Sequence, residues 1–94
     1  MNNKIIEITT PTCSVCKMLK PVLGMIMPKF YPNIELIVVD HEEELAKKYL
    51  EEYSIKSVPA FFFTKDDKVI KTQFGAITVP DFKNIVDEVY TNEC

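Results

Sequence analysis

Cys13 and Cys16 are separated by Ser14 and Val15. Such a Cys-x-x-Cys pair is either a redox couple or half of a metal site. Zinc takes about four ligands. The remaining candidates are His41 and Cys94, and neither has ligand spacing. No metal site is therefore expected, and the pair reads as redox-active. Its location strengthens that reading. It falls where a strand pattern ends and a helix pattern begins. A helix N-terminus carries unpaired N–H groups and a partial positive charge. Both favour thiolate, the nucleophilic form, and should bring the Cys13 pKa below its free value of about 8.5. Cys16, one turn into the helix, would lie close enough to attack a mixed disulfide at Cys13. Lys17 and Lys20 add positive charge nearby.

The elements that must hold this pair can be read in order. Residues 4–9 form a strand pattern rich in β-branched residues, broken by Thr10-Pro11-Thr12. Apolar residues then recur at Val15, Met18, Leu19, Val22, Leu23, Ile26, Met27 and Phe30, one face of a helix. Pro21 predicts a kink within it. Residues 34–39 form a second strand, apolar enough for a central position. Asp40 and Glu43 have the spacing of a capping box for a second helix. Leu45, Ala46, Tyr49, Leu50 and Tyr53 form its expected buried stripe. Residues 60–63 and 69–74 make two further strands, joined by the polar turn Lys65-Asp66-Asp67-Lys68 as an antiparallel hairpin. On the second of these, Ile70, Thr72 and Phe74 share a side. Gly75 marks a bend. Thr78 and Pro80 open a last helix that buries Val79, Phe82, Ile85, Val86, Val89 and Tyr90. The order is βαβαββα: an α/β fold with a four-stranded mixed sheet and helices on both faces.

Composition narrows the function classes. Of 94 residues, 47% are hydrophobic and 27% charged, which suits one globular domain over 1–94 and excludes a disordered chain. The net charge is −3 and all basic residues are lysines, so no nucleic-acid partner is expected. No apolar run approaches the roughly 20 residues of a membrane span. The first residues lead directly into a strand pattern rather than a signal peptide, so a cytoplasmic location is expected. His41 and the terminal Cys94 read as exposed residues without a role.

At this point the sequence resembles the thioredoxin family along nearly its whole length. The run Cys13-Ser14-Val15-Cys16-Lys17-Met18-Leu19-Lys20-Pro21 is similar to the family's active-site helix. Ser57-Val58-Pro59 resembles the segment carrying its cis-proline, and Phe74-Gly75-Ala76 the glycine after its closing hairpin. Departures are present. Thr12 stands where the family usually has Trp, and Ser14-Val15 where it has Gly-Pro. The usual N-terminal strand and helix are missing, giving a glutaredoxin-like size. Glu7 matches a buried Asp behind the second cysteine, and Leu36 replaces that acid's lysine partner.

The resemblance implies a thioredoxin fold and a thiol–disulfide oxidoreductase reducing protein disulfides. It implies Cys13 as nucleophile, Cys16 as resolving thiol and Glu7 as a proton-relay acid with a raised pKa. Thr12, Val58, Pro59 and Gly75 would bind substrate. No cofactor is expected beyond the Cys13–Cys16 disulfide. Disulfide-containing protein substrates, a thioredoxin-reductase-like electron donor and a monomeric state are expected. Two alternatives stay open: a glutathione-dependent glutaredoxin-like reductase, and a non-enzymatic thiol- or metal-binding module. The single Gly75 and the lack of arginine count against the first.

Overall fold

Four consecutive residues of the first strand, Ile5, Ile6, Glu7 and Ile8, are buried. A strand alternates its side chains between two faces, so both faces of this one must be covered. The computed structural model, which describes residues 3–90, shows how. β1 (Asn3–Thr9) is followed by α1 (Ser14–Phe30), β2 (Ile34–Asp40) and α2 (Glu44–Glu52). The hairpin β3 (Ala60–Lys65) and β4 (Lys68–Phe74) and the helix α3 (Val79–Tyr90) complete the order βαβαββα. The sheet order is β2-β1-β3-β4. β1 runs parallel to β2 and antiparallel to β3.

One face of the sheet carries Ile5, Phe61 and Phe63, packed against Leu19, Leu23, Ile26 and Met27 of α1 and Phe82, Val86, Val89 and Tyr90 of α3. The other carries Ile6, Ile8, Ala60 and Phe62, packed with Val39, Ala46 and Ile55. The Phe61-Phe62-Phe63 run therefore feeds both cores. Phe82 lies edge-on to Phe61 at 5.5 Å and 5.9 Å from Phe63. The far end of the sheet is locked by Tyr90, whose hydroxyl lies 3.0 Å from the Lys4 carbonyl and 2.9 Å from that of Thr64. The Thr64 hydroxyl donates to the same Lys4 carbonyl at 2.7 Å.

Several expectations are corrected. β2 is an edge strand, not a central one, because among the described residues only β1 pairs with it. Its alternate side chains are partly covered by the helices, but Val38 is left exposed. Asp40 ends β2 instead of capping α2. The Asp40 N–H does donate to the Glu43 carboxylate at 2.7 Å, but that bond closes a turn, and α2 starts one turn later with Glu43 as its N-cap. Leu45 is exposed, and Tyr53 is exposed although its ring packs 5.5 Å from Phe62. Met18 and Phe30 are exposed on α1, which buries a narrower stripe than its apolar periodicity suggests. α1 continues through Pro21 and Pro28, and neither proline ends it. On β4 the register passes from Lys71 opposite Phe63 to Val69 opposite Thr64. Ile70 is the extra residue of this bulge and points out, so Val69 joins the core in its place.

The β3–β4 turn uses Asp66 and Asp67 at φ 50° and 69°, the left-handed pair that a tight two-residue hairpin requires. Among the described residues, no helix is long and apolar enough to cross a membrane.

Phe82 joins α3 to two sheet rings, so Phe82→Ala should cost about 3–5 kcal/mol of stability. Urea unfolding of the two proteins checks this; a loss below about 1 kcal/mol would place the core's centre elsewhere.

Candidate active site

The pairing registers bring several loops to one end of the sheet. Thr9 pairs with Asp40, and Ala60 pairs with both Ile8 and Phe74. The segments beyond these residues therefore emerge together: Thr10 to Cys13 after β1, Val58-Pro59 before β3, and Gly75 after β4. Two hydrogen bonds tie them. The Gly75 N–H donates to the Pro59 carbonyl at 2.9 Å, and the His41 N–H to the Thr9 carbonyl at 2.8 Å. The Val58–Pro59 peptide bond is cis, and Pro59 is fully buried. Gly75 has φ 85°, a conformation side chains rarely adopt. Thr12 is exposed immediately before the cysteines.

Cys13 is the N-cap of α1, with extended backbone. The Cys16 N–H donates to Cys13 Sγ at 3.2 Å. The Cys13 sulfur therefore occupies the place a capping oxygen usually takes, satisfying one unpaired amide of the helix start. This contact favours negative charge on that sulfur when the pair is reduced. Here the two cysteines form a disulfide, their Cα atoms 5.3 Å apart. Cys13 is half-buried and Cys16 is buried. A substrate sulfur can thus approach Cys13, while Cys16 is reached from within.

Glu7 lies behind the pair, 2% exposed on a strand hydrogen-bonded on both sides. Burial pushes its pKa from 4.5 up to about 7, and the positive charge of Lys20 opposes the rise. A cleft of about 170 Å³ joins Glu7 to Cys16 and is also lined by Thr9, Thr10, Pro11, Lys17, Lys20 and Val38. Its lining is more apolar than polar, and it is roomy enough to admit water beside the carboxyl. Leu36 is not the residue opposite Glu7: it pairs with Ile5 and packs into the core, while Val38 pairs with Glu7.

The structure thus brings Glu7, Cys13 and Cys16 together, and sets Thr12, Val58, Pro59 and Gly75 around the same end of the sheet. Reading the sequence missed Lys20 as the cation near Glu7. The signal was its position four residues after Cys16, which places both on one helical face. Cys94 lies outside the described residues. Among those described, no group of three or more His, Cys, Asp or Glu side chains could hold a metal ion.

A raised carboxyl pKa has a stability consequence. The folded chain holds the Glu7 proton more tightly than the unfolded chain does. Its stabilising effect is complete below about pH 4.5 and is lost as pH rises through about 7. At about 1.4 kcal/mol per pH unit, the loss is on the order of 3 kcal/mol. The disulfide form should therefore weaken between pH 5 and 8, and Glu7→Gln should flatten that slope. Urea unfolding across this range tests it; parallel slopes for both proteins would show that Glu7 is not the group responsible.

The fold and sequence have known relatives. The family model described as Thioredoxin matches residues 1–88. The thioredoxin of Haemophilus influenzae is 24% identical over 84 residues, covering 89% of this chain and 77% of that one. The NADPH-dependent thioredoxin reductase 3 of Arabidopsis thaliana is 24% identical over 79 residues, covering 84% of this chain but only 15% of the reductase. Among solved structures, the oxidised mitochondrial thioredoxin 3 of Saccharomyces cerevisiae superimposes with a TM-score of 0.74 at 26% identity, covering 92% of this chain and 78% of that one.

Proposed function

The chain belongs to the thioredoxin family, and from that premise we propose that it reduces disulfides of protein substrates through Cys13 and Cys16, with Glu7 as the proton relay. The carrying observation is the disulfide between an accessible helix N-cap sulfur and a buried one, with a shared cleft leading to a buried carboxyl.

The reduced form starts with Cys13 as thiolate, stabilised by the Cys16 N–H and the helix start. It attacks one sulfur of the substrate disulfide. The substrate S–S bond breaks, the departing thiolate takes a proton from solvent, and a Cys13–substrate mixed disulfide forms. Cys16 must then lose its proton to become nucleophilic. Ionised Glu7 accepts that proton, directly or through water in the cleft. A carboxyl poised near pH 7 is suited to this, because it is partly ionised yet basic enough to accept. The Cys16 thiolate attacks Cys13 Sγ, forms the intramolecular disulfide and expels the second substrate thiolate. Two electrons have moved from the cysteine pair to the substrate, with no cofactor involved.

Thr12, Val58, Pro59 and Gly75 border the approach to Cys13. Val58 offers backbone groups to an extended substrate segment in the manner of strand addition. The reduced pair is restored by a two-electron donor. The similarity to a segment of an NADPH-dependent thioredoxin reductase supports a donor of that class. A cytoplasmic setting, where thiols are kept reduced, suits this cycle. A monomeric state fits this reading, since Glu7, Cys13 and Cys16 lie together at one end of the chain's own sheet.

Two outcomes are expected. Cys16→Ser should accumulate mixed disulfides with protein substrates, seen as thiol-sensitive bands on non-reducing gels, whereas Cys13→Ser should not. The opposite trapping pattern would reverse the assignment. In single-turnover measurements, Glu7→Gln should slow release of the second thiol by about tenfold or more while leaving the initial attack nearly unchanged. In the wild type, release should speed up as pH rises through about 7, because the base is the ionised form. Equal rates for both proteins from pH 6 to 9 would remove Glu7 from the mechanism.

A further inference from the structure

α1 packs one face on the sheet and turns the other to solvent. On the outer face Met18 and Met25 are 74% and 65% exposed. Pro21 and Pro28 are exposed as well. Positions 18, 21, 25 and 28 step by three and four residues, so they form one stripe along the helix. Gly24 is exposed beside Pro21 and Pro28. Its φ lies outside the left-handed region, and beyond its own turn of helix a Cβ there would meet no heavy atom of the described chain within 4 Å. Neither backbone conformation nor internal packing calls for glycine, which is unfavourable inside a helix. Pro28 has no N–H, so the Gly24 carbonyl lacks its usual donor four residues on. The result is a shallow dip of exposed backbone beside an apolar stripe. Lys17, Lys20 and Lys29 flank it, and the sequence has no acid between Glu7 and Glu35.

We propose that this outer face of α1 docks an acidic amphipathic helix of a partner protein, which crosses α1 at Gly24. The missing side chain lets two helix axes approach to about 8 Å, the close end of helix packing. Methionines mould to the apolar side of such a helix. The flanking lysines complement carboxylates on its edges. The same charges disfavour a second copy of this chain, which would set lysines against lysines. A bilayer surface takes up bulky side chains, aromatic ones above all, and a dip offers none. The ring at the end of α1, Phe30, lies under the ammonium groups of Lys83 at 4.2 Å and Lys29 at 5.4 Å. Pro21 to Pro28 lie roughly 12–22 Å down the helix from Cys13, so the docked helix and a substrate disulfide occupy different places.

The test titrates the full chain with a synthetic helical peptide that has a Leu/Ala seam flanked by glutamates, followed by NMR of backbone amides and methionine methyls. Shifts should concentrate at Met18, Gly24 and Met25, and a peptide with lysines in place of the glutamates should produce none. Gly24→Gln fills the dip with a better helix former, so it should raise the ratio of folded to unfolded protein about threefold or more while weakening peptide binding about tenfold. Met25→Glu and Lys29→Glu should each weaken binding about fivefold, and Met25→Leu should retain it. Reduction of a small disulfide by Gly24→Gln should match the wild type. Absence of shifts on α1, equal shifts with the lysine peptide, or undiminished binding by Gly24→Gln would overturn the proposal. So would sedimentation showing a dimer that Met25→Glu disrupts, or tighter binding of the wild type to phosphatidylglycerol vesicles than to the acidic peptide.

Discussion

A strand hydrogen-bonded on both edges and covered on both faces leaves a charged side chain little contact with bulk water, and β1 is such a strand where Glu7 sits, 2% exposed. Much of the site depends on that placement. The same strand sets the start of α1, because Thr10-Pro11-Thr12 is the short link from its end to Cys13. It therefore fixes the N-cap sulfur and the buried carboxyl with respect to each other. Registers with β2 and β3 then bring the His41, Pro59 and Gly75 segments to the end where β1 stops. Loops alone would not hold sulfur and carboxyl in a fixed relation. A central strand does, since shifting it by one residue would turn Glu7 into the opposite core.

Burying Glu7 is unfavourable, and the cost is on the order of 3 kcal/mol once the group is ionised. For a domain of this size, net stability is about 5–15 kcal/mol, so the loss is tolerable but large. A purely structural sequence would place an isoleucine there, as at Ile5 two residues earlier on the same face. The neighbouring packing offsets the penalty. Phe61, Phe63 and Phe82 are fully buried on that face, and each full burial of such a side chain contributes about 1.5–3 kcal/mol. The aromatic cluster does not line the cleft, whose walls are Thr9, Thr10, Pro11, Val38 and side chains of α1.

The element order, both cores and the cysteine pair were legible because each rests on a local pattern. Strand and helix periods, the cysteine spacing and the proline before β3 are all written in adjacent residues. What escaped depends on which element lies next to which. The apolar run of β2 resembles that of a central strand, yet it borders the sheet, and only pairing decides between the two. Periodicity in α1 and α2 marks apolar residues without showing how wide a stripe the sheet can cover. Leu19 and Leu23 are therefore buried, while Met18 and Leu45 are not. Asp40 and Glu43 do make the expected local bond, but the strand keeps Asp40, so the bond closes a turn. The bulge at Ile70 changes which β4 side chain faces inward, and nothing in a strand alternation announces it.

The charge near Glu7 shows the same limit in its sharpest form. A lysine opposite Glu7 on β2 would face the carboxyl across a strand pair, and the sequence places Val38 there instead. Judged by strand neighbours alone, the acid has no cation. The helix supplies one because the four-residue spacing of α1 carries the line of Cys16 back over the cleft to Lys20. The two arrangements are not equivalent physically. A cation sealed beside the acid would pair with it strongly and draw its pKa down, toward the ordinary carboxylate range. A cation at a solvent-exposed rim is screened, so desolvation stays the larger influence and the carboxyl settles near 7. That balance is what a proton relay needs, since a fully ionised acid would be a poor base and a fully protonated one no base at all.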